Sequence, residues 1–140
     1  MAYPHGELPT SRFLRCIPRQ VDPALRLVCF PHVGGAASFF RSWVSWLPEK
    51  VELIAACYPG REDQIAESPA TAMAELVAPS VRACLSLSDA PLALFGHSMG
   101  AVVAYEVAVH LQHDHGCAGG LVSGCGSWRS RAAATTTRSV

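Results

Sequence analysis

Apolar residues fall along this chain in short blocks whose period changes from block to block. Residues 25–30 (LRLVCF) make a run of strand length stopped at Pro31, and residues 51–58 (VELIAACY) make a second, stopped by Pro59 and Gly60. Between them Phe39, Phe40, Trp43, Trp46 and Leu47 recur at spacings of three and four. That pattern predicts an amphipathic helix, closed by Pro48, whose aromatics face the core. A second helical pattern covers roughly 71–88, with Met73, Val77, Val81 and Cys84 on one face. Pro79 lies inside it and predicts a kink or a split, because an interior proline loses a backbone bond at a cost of about 3 kcal/mol. Residues 91–95 (PLALF) form a third strand, followed by a sharp glycine-bounded turn and a helix over 99–112. That helix is apolar on nearly all sides and so belongs inside, packed on a sheet. A further strand is predicted at 119–124 and a short extended piece at 12–17 within an otherwise irregular lead-in, 1–24. Residues 125–140 follow neither period and read as a disordered tail. Alternating strands and helices define an α/β class, with a mostly parallel sheet and crossover helices.

Composition narrows the function without choosing it. A chain of 140 residues, half of them hydrophobic, is one domain at most. Eleven basic and eleven acidic residues cancel, but unevenly: 49–114 holds three basic and nine acidic groups, 115–140 three basic and none acidic. Nowhere do lysines and arginines gather among aromatics as a nucleic-acid surface requires. The six cysteines, at 16, 29, 57, 84, 117 and 125, form no C-x-x-C and no zinc spacing. Those in apolar runs read as buried thiols of a reducing compartment. With no signal-peptide core and no run long enough to cross a bilayer, the expectation is a cytoplasmic protein free of membrane.

The candidate chemistry sits at Gly96-His97-Ser98-Met99-Gly100. A bare G-x-S-x-G arises by chance in roughly one chain in twenty of this length, so the pattern gains its meaning from its setting. Here an apolar strand leads directly in and a helix directly out, which is the setting of a nucleophile elbow, where a strained turn holds a serine clear of the backbone. Glycines at 96 and 100 are predicted to make room where the chain doubles back. The helix that begins at Met99 aims its free amides and positive end at the serine. His97 is expected to pack, and His32, in the loop after the first strand, is a candidate to come near Ser98.

Three motifs in order, Leu27-Val28-Cys29-Phe30-Pro31-His32-Val33-Gly34-Gly35, Tyr58-Pro59-Gly60-Arg61-Glu62 and Phe95-Gly96-His97-Ser98-Met99-Gly100, closely resemble the type II thioesterases that accompany polyketide synthases and nonribosomal peptide synthetases. The resemblance runs from about residue 14 to 124. It implies an α/β-hydrolase fold and hydrolysis of acyl groups from the phosphopantetheine arm of carrier proteins, with no metal or organic cofactor and a monomer when complete. It also implies that Ser98 is the nucleophile and that the amides of Met99 and Val33 form the oxyanion hole. The Arg61 and Glu62 pair reads either as a rim of the substrate channel or as a turn-fixing ion pair. A general serine esterase, and a catalytically dead module that binds carrier protein, remain open beside the thioesterase.

The family's triad runs Ser, Asp, His. After Ser98 this sequence has one aspartate, Asp114, and histidines at 110, 113 and 115. At 1.5 Å per residue of helix these lie on the order of 20 Å from Ser98, too far to serve it. The triad Asp and His are therefore read as absent, the domain as 25–124, and 125–140 as sequence foreign to the family, as a truncated or frame-shifted reading frame would produce. The chain as it stands is expected to be nearly inactive.

Overall fold

The computed structural model describes residues 13–16, 22–32, 35, 37–60, 68, 70–87, 89–116 and 121–125, with backbone alone at 15–16 and 121–125. In order, the elements are β1 (Leu14–Cys16), β2 (Leu25–Phe30), a 3₁₀ helix (Ala37–Trp46), β3 (Val51–Ala56), α1 (Ala74–Leu85), β4 (Leu92–His97), α2 (Met99–His113) and β5 (Leu121–Cys125). The sheet runs β1-β3-β2-β4-β5. All neighbours are parallel except β1, which pairs antiparallel with β3. The short extended piece expected at 12–17 is thus an edge strand, and the last strand reaches Cys125. The 126–140 tail and most of the lead-in lie outside the described residues.

The strands are mostly apolar runs because both faces of the sheet are covered, with Arg26 and Glu52 as the charged exceptions near the starts of β2 and β3. On one face Val28, Phe30, Ile54, Ala56 and Leu94 pack with Leu76, Val77, Val81 and Cys84 of α1 and with Val103, Ala104, Val107 and Leu111 of α2. On the other, Cys29, Leu53, Ala55 and Cys57 pack with Ala37 and Phe40 of the 3₁₀ helix and with half-buried Trp43, Leu47 and Phe95. Alternate residues of one strand point to opposite faces, so β2 and β3 feed both cores. α2 packs by one face; Tyr105 and His110 on it are exposed, so its interior position is less complete than its apolar sequence suggests.

Two expectations need correction. The aromatic segment 37–46 is a 3₁₀ helix, and only part of it is core: Phe40 is fully buried, whereas Phe39 is 47% and Trp46 86% exposed. With three residues per turn, Phe40, Trp43 and Trp46 line up on one edge. Their burial falls along that line from complete to half to almost none, so the helix climbs off the sheet as it proceeds. Of the kink or split expected at Pro79, the split does not occur: α1 is a single helix through it. The carbonyl that loses its donor belongs to Glu75, which is exposed, and the start of the helix is tied by the Thr71 amide donating to the Glu75 carboxylate at 2.7 Å.

Arg26 is a charged residue 94% buried in β2. It donates to Glu52 at 2.8 Å, to the Leu87 carbonyl at 2.9 Å and to the Asp89 carboxylate, which satisfies most of its guanidinium. The network clamps the starts of β2 and β4 at the end of the sheet opposite Ser98.

Candidate active site

The register sets Phe30 of β2 opposite Gly96 of β4, so two parallel strands end side by side where α2 begins. This is the carboxyl edge of the sheet, where open α/β folds place their ligands. Ser98 stands at the junction with φ 55° and ψ −118°, the one non-glycine residue with positive φ among the described residues. Such a conformation costs on the order of 1–3 kcal/mol and persists only where surrounding structure enforces it. Both flanking glycines show what does. A Cβ at Gly96 would lie 2.1 Å from the Gly100 carbonyl oxygen, and one at Gly100 would lie 2.0 Å from the Phe30 carbonyl oxygen. Neither neighbour can yield, since both are backbone. The room predicted for these glycines is therefore real, and it is used to press the first turn of α2 onto the end of β2. Ser98 is exposed, and its carbonyl accepts the Ala101 amide at 3.0 Å, which starts the helix. The amides ahead of Ala101 have no helical partner and lie beside the serine at the positive end of a 15-residue helix.

Rings close in around this turn. His97 stacks flat on Phe39 (centroids 5.9 Å, planes 10° apart), and His32 meets both nearly at right angles, at 5.2 Å from His97 and 5.3 Å from Phe39. The Nδ1 atoms of His32 and His97 are buried with no hydrogen-bond partner. Gly35, whose amide donates to the His32 carbonyl at 2.9 Å, lies so close that a Cβ there would be 2.9 Å from His32 Nδ1. Gly35 thus leaves room for the imidazole of its own loop. His97 packs, as expected, and His32 lies against His97, the residue before Ser98.

The structure brings together Gly96, His97, Ser98, Met99 and Gly100, with His32 beside them. Val33, Gly34, Arg61 and Glu62 lie outside the described residues. His110, His113, Asp114 and His115 lie at or just beyond the far end of α2. There His110 Nδ1 and the Asp114 carboxylate are 2.7 Å apart in solvent, and that contact holds the carboxyl below its ordinary range. Two residues escaped the sequence reading. Glu106, a second acidic residue after Ser98, is half-buried on α2, about 12 Å along the axis from the elbow. Tyr58 donates its hydroxyl to the Pro31 carbonyl at 3.1 Å, and burial pushes its phenol well up from the usual value. It ties the end of β3 to the loop carrying His32; the signal was its place directly before the Pro59 and Gly60 turn. Cys29, beneath the site, has its thiol pushed up to about 12 by burial, which leaves it unreactive. Among the described residues no group of three or more His, Cys, Asp or Glu is placed to hold a metal ion, and no helix is long and apolar enough to cross a membrane.

A mostly parallel sheet with crossover helices on both faces and a strained serine turn at its carboxyl edge is the architecture of the α/β-hydrolase class, of which these residues form a part. Comparison with known proteins sharpens this. The thioesterase domain family matches residues 25–136. Thioesterase PikA5 of Streptomyces venezuelae is 44% identical over 96 residues, 68% of this chain and 34% of that protein. The AMB antimetabolite synthetase AmbE of Pseudomonas aeruginosa is 43% identical over 95 residues, 68% of this chain but 4% of that protein. The solved structure of the type II thioesterase BorB from the borrelidin biosynthetic cluster superposes with a TM-score of 0.67 at 32% identity, over 78% of this chain and 44% of that one. The chain belongs to the thioesterase family, is similar to a type II member among the solved structures, and spans about a third or less of the curated relatives named here.

Proposed function

We propose that this chain is the serine-bearing part of a thioesterase that frees acyl groups from the phosphopantetheine arm of carrier proteins in polyketide or nonribosomal peptide assembly. The observation that carries the reading is Ser98 itself: exposed, strained, and fixed between two irreplaceable glycines at the start of α2. In the reaction Ser98 Oγ attacks the thioester carbonyl carbon, and the carbonyl electrons move onto oxygen. The amides of Met99 and Val33 receive that negative charge; losing one such donor typically costs 100-fold or more in rate. Collapse breaks the C–S bond, the thiol leaves with a proton, and water repeats the attack to release the acid and restore the serine.

A complete triad needs a base and an acid near Ser98. The histidines of residues 99–140 and Asp114 lie at or beyond the far end of α2, and Glu106 lies about 12 Å along it, so on this reading the base and acid are not theirs. On this reading the protein works in the cytoplasm without metal or organic cofactor, its partner is an acyl-loaded carrier protein, and the 140 residues alone keep only a small fraction of triad catalysis, carried by Ser98 without its base.

The test is hydrolysis of octanoyl-pantetheine beside p-nitrophenyl octanoate by this chain and by Ser98→Ala. The expected result is slow thioester cleavage, favoured over the ester and abolished by the substitution. Equal cleavage by Ser98→Ala contradicts the role of Ser98, and a preference for the ester indicates a general esterase.

A further inference from the structure

Three large apolar side chains stand out in solvent among the described residues: Phe39, Tyr105 and Trp46. Of these, Phe39 alone joins the rings at the elbow. One of its faces lies flat on His97, the residue before Ser98, and it meets His32 and Phe40 at near right angles, with the Phe40 centroid 5.1 Å away. Phe39 is thus held by three rings while about half of it stays open. The Nδ1 atoms of His32 and His97 are sealed inside the cluster, and what the cluster turns outward at Phe39 is ring carbon.

We propose that Phe39 is a specificity-determining contact, whose open face receives the acyl chain of the thioester attacked at Ser98; this deepens the reading above and rests on it. A thioester carbonyl at Ser98 leads in two directions. The pantetheine side carries amides that need hydrogen-bond partners when desolvated, and Phe39 offers none. The acyl side is hydrocarbon, for which a fixed aromatic face against the residue that precedes the serine is a fitting surface. Because the neighbouring rings already fix Phe39, the contact forms with little ordering of the side chain.

The experiment measures binding of two non-hydrolysable thioethers, S-octyl-pantetheine and S-ethyl-pantetheine, to the whole chain by calorimetry. The wild type is expected to prefer octyl by about tenfold or more. Phe39→Ala should bring the octyl-to-ethyl ratio close to one with ethyl binding unchanged, and Phe39→Leu, which keeps an apolar group and the packing, should lower it about threefold. Trp46→Ala, on the same segment but away from the elbow, should leave the ratio as it is. An unchanged ratio in both Phe39 variants, or no octyl preference in the wild type, overturns the proposal. Ser98→Ala keeps the ratio if Phe39 is the contact. Turnover that is lost in Ser98→Ala beside a ratio that ignores Phe39 sinks this inference and spares the reading of Ser98; turnover that survives Ser98→Ala overturns that reading and this inference with it, whatever the ratio.

Discussion

The strain at Ser98 is a property of one residue, and it can be released by one substitution. Alanine at 98 keeps the positive φ and its cost, whereas glycine adopts that region freely. Ser98→Gly is therefore expected to be more stable than Ser98→Ala by about 1 kcal/mol, the strain relieved less the extra chain entropy of glycine. Urea unfolding of the two variants checks this, and equal midpoints would mean that the turn relaxes around any side chain. Gly96→Ala and Gly100→Ala should each lose about 3 kcal/mol or more, because the atoms they meet at 2.0–2.1 Å are backbone. Gly35→Ala should cost less, since its closest neighbour is an imidazole ring.

At the scale of elements, the clamp at Arg26 holds the starts of β2 and β4 and reaches residues 26 and 63 positions away. The hydrogen bond from Arg26 keeps the Asp89 carboxyl below its ordinary range. A carboxyl depressed in the folded state stabilises the fold above its unfolded pKa of about 4 and loses that contribution as pH falls through the folded value. The lead in thermal midpoint of wild type over Asp89→Asn should therefore be full near neutral pH and shrink below about pH 4; a constant gap contradicts the linkage. Asp89 is largely exposed, so the gap should also narrow with salt. Elements were legible wherever one residue sufficed to mark them. Strands buried on both faces wrote themselves as mostly apolar runs, interrupted in β2 and β3 by Arg26 and Glu52, and Gly96 and Gly100 marked the turn between β4 and α2. The 3₁₀ helix was not legible, because positions 40, 43 and 46 satisfy a period of three as well as one of 3.6. Arg26 gave no sign of its partners either, since they lie on β3 and in the α1 to β4 loop.

For the molecule as a whole, the two ends of the sheet have different tasks. The end where β2 and β4 start is clamped by charge, and the end where they finish carries the strained serine, the sealed rings and the amides of α2. The ring cluster joins His32, Phe39 and His97 from three separate segments, so the motifs announced the site while only the fold could assemble it. Trp46, 86% exposed at the end of the 3₁₀ helix, contributes little to the core. Trp46→Gln should leave unfolding free energy within about 0.5 kcal/mol and reduce retention on a hydrophobic column; a larger loss of stability would show that Trp46 packs against more than its own segment.

The central claim is that the hydroxyl of Ser98 is the group acylated in the reaction. It is tested most directly by exposing a version of the protein completed with a triad base and acid to an alkyl fluorophosphonate and locating the adduct by peptide mass spectrometry. One adduct on Ser98, absent from Ser98→Ala, is the predicted result; modification at another residue, or an unmodified Ser98 while another nucleophile reacts, would contradict it.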